Sequence, residues 1–116
     1  TAVVVASENA PLVAIDLAEV FATSDLPGGV VNLLTGRIDE LGPHLAAHAD
    51  VDALDLTGCG QRAVEFEKTA AATLTRVLRP GPEADADEGV WLNSTPGTTR
   101  LAAFLETKTV WHPIGM

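Results

Sequence analysis

The chain has 116 residues, 47% of them apolar, so it is large enough to form one domain whose core needs neither disulfides nor metal. Its formal net charge is −9 and its seven lysines and arginines are scattered, which excludes the clustered basic surface that nucleic acids and anionic membranes attract. The single cysteine, Cys59, cannot form an internal disulfide, and no apolar run approaches the roughly 20 residues that cross a bilayer, so we expect a cytoplasmic protein without membrane contact.

The first predicted unit is a strand followed by a helix. Residues 2–6 read AVVVA, a β-branched run without polar alternation, which is typical of a strand buried on both faces of a parallel sheet. A helix is predicted from Pro11, because the N–H that proline lacks would have no partner in a first helical turn, and it ends near Ser24. Its apolar residues recur at helical spacing: Leu12, Ile15, Leu17, Ala18 and Phe21.

The same unit recurs along the chain. Further strands are predicted at residues 30–34, 51–56 and 73–78. A second helix begins either near Ile38 or only at Pro43, because Gly42 and Pro43 interrupt it early, and a third is predicted over residues 62–72 from its alanine content. The connections are too long for hairpins, so the predicted fold is α/β, with a parallel Rossmann-like sheet of about four strands flanked by helices.

The composition changes after Arg79, where Pro, Gly and acidic residues replace the apolar pattern. We therefore divide the chain into an α/β domain over residues 1–80, an acidic Pro/Gly-rich linker over 81–100 and a tail over 101–116. The tail contains an alternating strand that starts at Thr107 and ends at Trp111. It has no evident partner strand in the chain, so we expect it to pair with another subunit in a homo- or hetero-oligomer.

Polar residues and glycines end three of the predicted strands. Because ligands of parallel sheets bind beyond the carboxyl ends of the strands, we expect these residues to share one rim. A carboxylate there can accept hydrogen bonds from two ribose hydroxyls, and a glycine lets a ligand approach the backbone closely. The alternatives are a cap before the first helix and simple turns out of the strands. The residues are Ser7-Glu8, Thr35-Gly36 and Thr57-Gly58.

Neither a reactive thiol nor a metal site is predicted. Cys59 is considered as a nucleophile, but free cysteines more often act as small buried hydrophobes. His44 and His48 lie four residues apart on one helix, and the chain offers no second pair at zinc-site spacing, so we expect both to face solvent.

Four blocks of the sequence resemble aldehyde dehydrogenases. In order they are TAVVVASENAPL, LPGGVVNLLTGRIDELG, AHADVDALDLTG and, at the end, ETKTVWHPIG. The first three are similar to the nucleotide-binding region of that family and the last to its C-terminal strand. The chain most closely resembles shortened bacterial members, and the likeness covers residues 1 to about 79 and 101–116.

The resemblance implies an NAD or NADP site on the same strand ends. Ser7 and Glu8 fall on a Ser-Glu pair whose acid binds the adenosine ribose in the family, and Gly36 falls on a glycine against which the adenine lies. Thr57 and Gly58 fall on a phosphate-facing turn. Cys59 replaces the serine of that turn, so the resemblance makes it a cofactor-site residue. Gly42 matches a further family glycine.

The departures from the family concern charge and catalysis. The family's ribose lysine falls on Val5 and its proline on Ala6, while Ala63 stands where a second glycine is usual. Pro80 stands where the resemblance places the general base, and the region with the family's nucleophile has no counterpart in the chain. We therefore predict no catalytic residue in this chain.

Three functions fit these residues. The first is an aldehyde-dehydrogenase-like segment with a degenerate NAD(P)-binding fold and a non-catalytic structural or assembly role. The second is part of an active NAD(P)-dependent aldehyde dehydrogenase whose catalytic residues lie outside this chain. The third is cofactor binding without chemistry, as a sensor or scaffold. Because Thr1 opens directly into a buried-strand pattern, we also expect further residues upstream in the natural protein.

Overall fold

The computed structural model describes residues 1–79 and 98–113. Strands and helices alternate along the chain, with a short 3₁₀ turn on each side of the third helix. In chain order the elements are β1 (Ala2–Val5), α1 (Pro11–Thr23), β2 (Val31–Leu34), α2 (Ile38–Ala47), β3 (Ala53–Asp55), a 3₁₀ turn (Gly60–Arg62), α3 (Ala63–Ala70), a 3₁₀ turn (Ala71–Thr73), β4 (Arg76–Leu78) and α4 (Thr99–Ala103).

The strands pair in parallel, which confirms the α/β class. β1 pairs with β2 from Ala2 opposite Val31 onwards, and β3 pairs with β4, where Asp55 lies opposite Leu78. Within the described part of the chain these are two separate two-stranded sheets, whereas we predicted one sheet of about four strands. β3 and β4 have three residues each. Asp55 is the last residue of β3, and its side chain accepts a hydrogen bond from the Thr57 N–H in the following turn.

α1 has the predicted boundaries. It begins at Pro11 and ends at Thr23, after which the backbone N–H and the hydroxyl of Ser24 both donate to the carbonyl of Phe21. These bonds satisfy a carbonyl that the helix itself leaves without a donor. The start and stop signals of α1 are therefore local in sequence.

α2 runs continuously from Ile38 to Ala47, so the alternative start at Pro43 is wrong. The Oε1 atom of Glu8 accepts a hydrogen bond from the Ile38 N–H at 2.7 Å and secures the helix start ahead of the proline. The acidic Asp39 and Glu40 in the first turn also favour a helix N-terminus. Pro43 removes one backbone donor without ending the helix.

The core lies between α2, α3 and the β3–β4 sheet. Its buried centre consists of Ala46, Leu56 and Phe66, and Ile38 and Val77 are among the partly buried residues packed on it. The Phe66 ring lies directly against Gly42, so the helices α2 and α3 approach closely there.

β1 and α1 are more exposed than predicted. Val3 and Val4 are 47% and 43% exposed, so β1 is not buried on both faces. Of the helical apolar set, Leu12, Ile15 and Leu17 are exposed. Among the described elements β1 has only β2 as a hydrogen-bonded neighbour, and α1 contributes no fully buried residue. The apolar pattern is present, but the described residues do not cover it.

The tail packs beside β4 through α4. The Nη1 atom of Arg76 donates to the Leu105 carbonyl at 3.3 Å. The segment predicted as a strand, from Thr107 to Trp111, belongs to neither sheet, and Trp111 is 89% exposed. Its pairing with another subunit stays a prediction.

Most of the predicted linker, together with Pro80, lies outside the described residues. No helix within the described ranges is long and apolar enough to span a bilayer.

Candidate functional site

A cavity of about 430 Å³ lies where the carboxyl ends of β1 and β3 meet. Its lining contains the predicted residues from both strand ends: Ser7, Glu8, Thr57, Gly58 and Cys59. Val5, which replaces the lysine of the resembled family, lines the same cavity. The lining therefore combines a carboxylate, an amide, two hydroxyls and a thiol with apolar side chains.

A second, shallower cavity of about 240 Å³ adjoins the first and opens at the end of β2. Ser7 and Glu8 line it together with Thr35 and Gly36. Ser7 and Glu8, which follow β1, thus border both cavities, and the three predicted strand ends lie along one rim. An extended ligand could contact all three ends at once.

Glu8 holds the start of α2. Its hydrogen bond to the Ile38 N–H joins β1 to a helix 30 residues later in the chain. The capping alternative, in which Ser7 and Glu8 cap the first helix, is wrong, because the N-cap of α1 is Ala10 and makes no side-chain capping bond. Only one carboxylate oxygen of Glu8 is used in the bond to Ile38.

We expect Glu8→Ala to lower the free energy of unfolding by roughly 1 kcal/mol, because the first turn of α2 loses the side-chain acceptor for one of its N–H groups. Glu8→Gln keeps an oxygen acceptor and should lose less. Urea unfolding followed by far-UV circular dichroism measures both, with Glu19→Ala on the exposed side of α1 as the matched control. A Glu8→Ala midpoint equal to that of the control would contradict the capping role.

The turn after β3 depends on a network that the sequence did not reveal. The Oδ1 atom of Asp55 accepts hydrogen bonds from the Thr57 N–H at 2.9 Å and from the Thr57 hydroxyl at 2.5 Å. The Oδ2 atom lies 2.5 Å from Nη1 of Arg100, whose Nη2 donates to the Thr57 hydroxyl at 2.9 Å. Asp55 is an imperfection in the strand pattern, and Arg100 lies far away in sequence. An Asp two residues before a Thr at a strand end is the signal that could have identified half of this network.

The backbone of the same turn is compact. The Cys59 N–H donates to the Leu56 carbonyl at 3.1 Å, and Gly58 between them has a φ of +79°. That conformation is left-handed, and L side chains rarely adopt it, so glycine is required for the backbone rather than for space. A Cβ built on Gly58 would meet no atom within 4 Å.

Comparison with known proteins decides the family. The family model described as "Aldehyde dehydrogenase family" matches residues 1–79. The chain belongs to the aldehyde dehydrogenase family. The matched residues include β1 to β4 and all the described residues that line the two cavities.

Parts of this aldehyde dehydrogenase chain are similar to curated proteins. Aminoaldehyde dehydrogenase 2, peroxisomal, from Pisum sativum is 41% identical over 70 residues. The NADP/NAD-dependent aldehyde dehydrogenase PuuC from Escherichia coli (strain K12) is 41% identical over 64 residues, and betaine aldehyde dehydrogenase, chloroplastic, from Amaranthus hypochondriacus is 47% identical over 58 residues. The matches cover 60%, 55% and 50% of this chain but only 14%, 13% and 12% of the relatives. No solved structure matches the chain.

The described lining of the larger cavity offers groups that donate and accept hydrogen bonds. Among the described residues that line the larger cavity there is one thiol, Cys59, one carboxylate, Glu8, and no imidazole. Glu8 is engaged with the backbone of α2, which leaves it suited to accept further hydrogen bonds but poorly placed as a mobile base. Among the described residues no group of three or more His, Cys, Asp or Glu could hold a metal ion.

Proposed function

We propose that this aldehyde dehydrogenase chain provides a degenerate NAD(P)-binding fold and has a structural or assembly role without catalysis of its own. The observation that carries the proposal is the rim on which Glu8, Gly36 and Gly58 border two adjoining cavities. The carboxylate of Glu8 would accept hydrogen bonds from the adenosine ribose. The backbone at Gly36 would lie against the adenine, and the turn that contains Gly58 would face the phosphates.

The absence of catalysis follows from the groups that the reaction needs. Oxidation of an aldehyde by this family's route needs a thiolate to attack the carbonyl carbon, a base, and donors for the oxyanion. Cys59 is the only thiol in the chain, and the resemblance assigns it to the cofactor turn. Pro80 stands where that resemblance places the base. NAD(P) would supply the hydride acceptor, so the residues of this chain would contribute binding and orientation only.

The assembly part of the proposal depends on the tail. Val110 and Trp111 are 62% and 89% exposed, although apolar side chains of this size gain free energy when they are buried. The segment from Thr107 to Trp111 would pair with a strand of another subunit, in a homo- or hetero-oligomer. We place this role in the cytoplasm, because a chain with one cysteine suits a reducing compartment.

Titration calorimetry with NAD and NADP, together with an aldehyde oxidation assay on the purified chain, tests the proposal. We expect weak binding and no oxidation, because Val5 cannot supply the charge-assisted hydrogen bond of the family's lysine, a bond worth about 1.5–3 kcal/mol. A dissociation constant in the low micromolar range would contradict the weak site. Oxidation of an aldehyde would contradict the non-catalytic role.

We expect Val5→Lys to strengthen NAD binding about tenfold or more, since about 1.4 kcal/mol corresponds to a factor of ten. Val5 lines the larger cavity and is half-buried, so a lysine stem can lie along the wall while its ammonium group reaches the ligand. Val3→Lys is the matched control, because Val3 is an exposed residue of the same strand that lines neither cavity. Equal affinities of the two variants would show that the ligand does not lie beside β1.

The alternative function is a contribution to an active aldehyde dehydrogenase whose catalytic residues lie outside this chain. It is favoured by the identity of 41–47% with proteins named as dehydrogenases, combined with the retention of Ser7, Glu8, Gly36 and Gly58. In that case Glu8→Ala would weaken cofactor binding by the complete enzyme. Unchanged cofactor affinity in the Glu8→Ala enzyme would count against the alternative.

A further inference from the structure

Arg100 of α4 reaches from the tail to the turn after β3. Its Nη1 atom lies 2.5 Å from Oδ2 of Asp55, and its Nη2 atom donates to the Thr57 hydroxyl at 2.9 Å. The planar guanidinium thus uses two of its N–H groups on two adjacent acceptors, a geometry that lysine cannot reproduce. Both charged side chains are partly shielded from solvent, with exposures of 41% for Arg100 and 27% for Asp55.

Thr57 connects Asp55 and Arg100 within this network. The Thr57 hydroxyl donates to Oδ1 of Asp55 and accepts from Arg100, and the Thr57 N–H donates to the same Oδ1 atom. Because its single O–H group is used as a donor and a lone pair as an acceptor, the Thr57 side chain is held in one rotamer. The carboxylate, the hydroxyl and the guanidinium therefore fix one another.

This network forms one wall of the candidate site. Thr57, Gly58 and Cys59 line the larger cavity, and the three residues are consecutive in the turn that Asp55 and Arg100 hold. The tail has a second attachment nearby, where Arg76 of β4 donates to the Leu105 carbonyl. The shape of the wall and the docking of α4 consequently depend on the same contacts.

We propose that Arg100 is a positioning residue for the Thr57–Cys59 turn and that docking of the tail in this way controls the wall of the nucleotide-facing cavity. When α4 is docked, the turn is fixed. When α4 leaves, the turn loses the guanidinium group of Arg100, which is both a cation and a hydrogen-bond donor, while the bonds between Asp55 and Thr57 remain. A ligand that binds the fixed turn better must, by reciprocity, favour the docked tail by the same factor.

The first test does not depend on any ligand. Amide hydrogen exchange on the full chain, resolved by residue with NMR, reports the Thr57 N–H bonded to Asp55 and the Cys59 N–H bonded to Leu56. We expect Arg100→Ala to accelerate both amides on the order of tenfold, within the usual range of coupling between sites. Arg100→Lys, which keeps the charge but not the planar fork, should give an intermediate rate.

Two controls separate positioning from a general loss of stability. Lys108→Ala removes an exposed cation from the same tail and should leave both amides unchanged. The Ala6 amide, which is bonded to Leu34 in the other sheet, should change less than about twofold in Arg100→Ala. Equal acceleration of the Ala6 amide would assign Arg100 a merely structural role and overturn the proposal. Wild-type rates at Thr57 and Cys59 in Arg100→Ala would also overturn it, and if that variant does not fold, Arg100→Lys is judged by the same rule.

A second test, which rests on the proposed function, uses NAD as the probe. The NAD dissociation constant of Arg100→Ala should be about tenfold higher than that of the wild-type chain, and Lys108→Ala should match the wild type. An unchanged constant combined with faster amides would overturn the control of binding by the tail. If millimolar NAD binds neither protein, the proposed function fails, and the positioning role is decided by the exchange rates alone.

Discussion

Replacing Phe66 with alanine is expected to lower the free energy of unfolding by about 3–5 kcal/mol. Phe66 is 2% exposed and is the largest side chain of the buried cluster that it forms with Ala46 and Leu56. The other two members cannot fill the volume that the ring would leave. Since small domains are stable by about 5–15 kcal/mol, a loss of this size would leave a substantial unfolded population.

The Phe66→Ala experiment has a matched control in the tail. Phe104 is 37% exposed and lies outside the buried cluster, so Phe104→Ala should cost less than about 1 kcal/mol. Urea unfolding followed by circular dichroism at 222 nm measures both variants. Similar midpoints for the two phenylalanine variants would mean that the α2–α3 cluster does not hold the fold together.

The helices could be predicted in so far as their boundaries depend on neighbouring residues. Pro11 and Ser24 mark the ends of α1 through backbone geometry and a local hydroxyl, and both signals are visible in sequence. Local signals could not decide between the two predicted starts of α2. The acceptor of the Ile38 N–H is the carboxylate of Glu8, which lies 30 residues earlier in the chain. Pro43 is a strong local signal, yet a distant hydrogen bond and the following packing override it.

The burial of β1 illustrates a second limit. An uninterrupted apolar run predicts that a strand suits burial on both faces, and this is a property of its side chains alone. Whether the faces are covered depends on which elements pack there, and in the described chain Val3 and Val4 are left about half exposed. The predicted single sheet of about four strands is not seen among the described residues for the same reason: which strands pair is decided by tertiary packing, and strand patterns do not encode it.

The rim could be predicted because parallel topology brings the carboxyl ends of strands together. Ser7, Glu8 and Gly58 follow from that rule with no knowledge of packing. Arg100 could not be predicted, because 45 residues separate it from Asp55 and nothing in its own neighbourhood indicates a partner. The supporting contacts of a site are thus less visible in sequence than the residues that line it.

Gly42→Ala is expected to destabilise the chain by roughly 1–3 kcal/mol, although helix propensity alone predicts a gain of up to about 1 kcal/mol. Gly42 is buried inside α2, and a Cβ placed there would lie 2.4 Å from Cζ and 2.7 Å from Cε2 of Phe66. The ring is itself buried and lies against the core, so it cannot move away cheaply. The cost of the clash between the added methyl group and the Phe66 ring therefore exceeds the gain in helix propensity.

Gly28→Ala is the matched control, because a Cβ at Gly28 would meet nothing within 4 Å. We expect the free energy of unfolding of Gly28→Ala, measured in urea, to stay within about 0.5 kcal/mol of the wild-type value. A double-mutant cycle then isolates the contact, since Phe66→Leu removes the Cζ and Cε atoms that cause the clash. In the Phe66→Leu background, Gly42→Ala should become neutral or stabilising, because only the propensity term is left. An equal loss in both backgrounds would place the cost of the added methyl elsewhere than on the Phe66 ring.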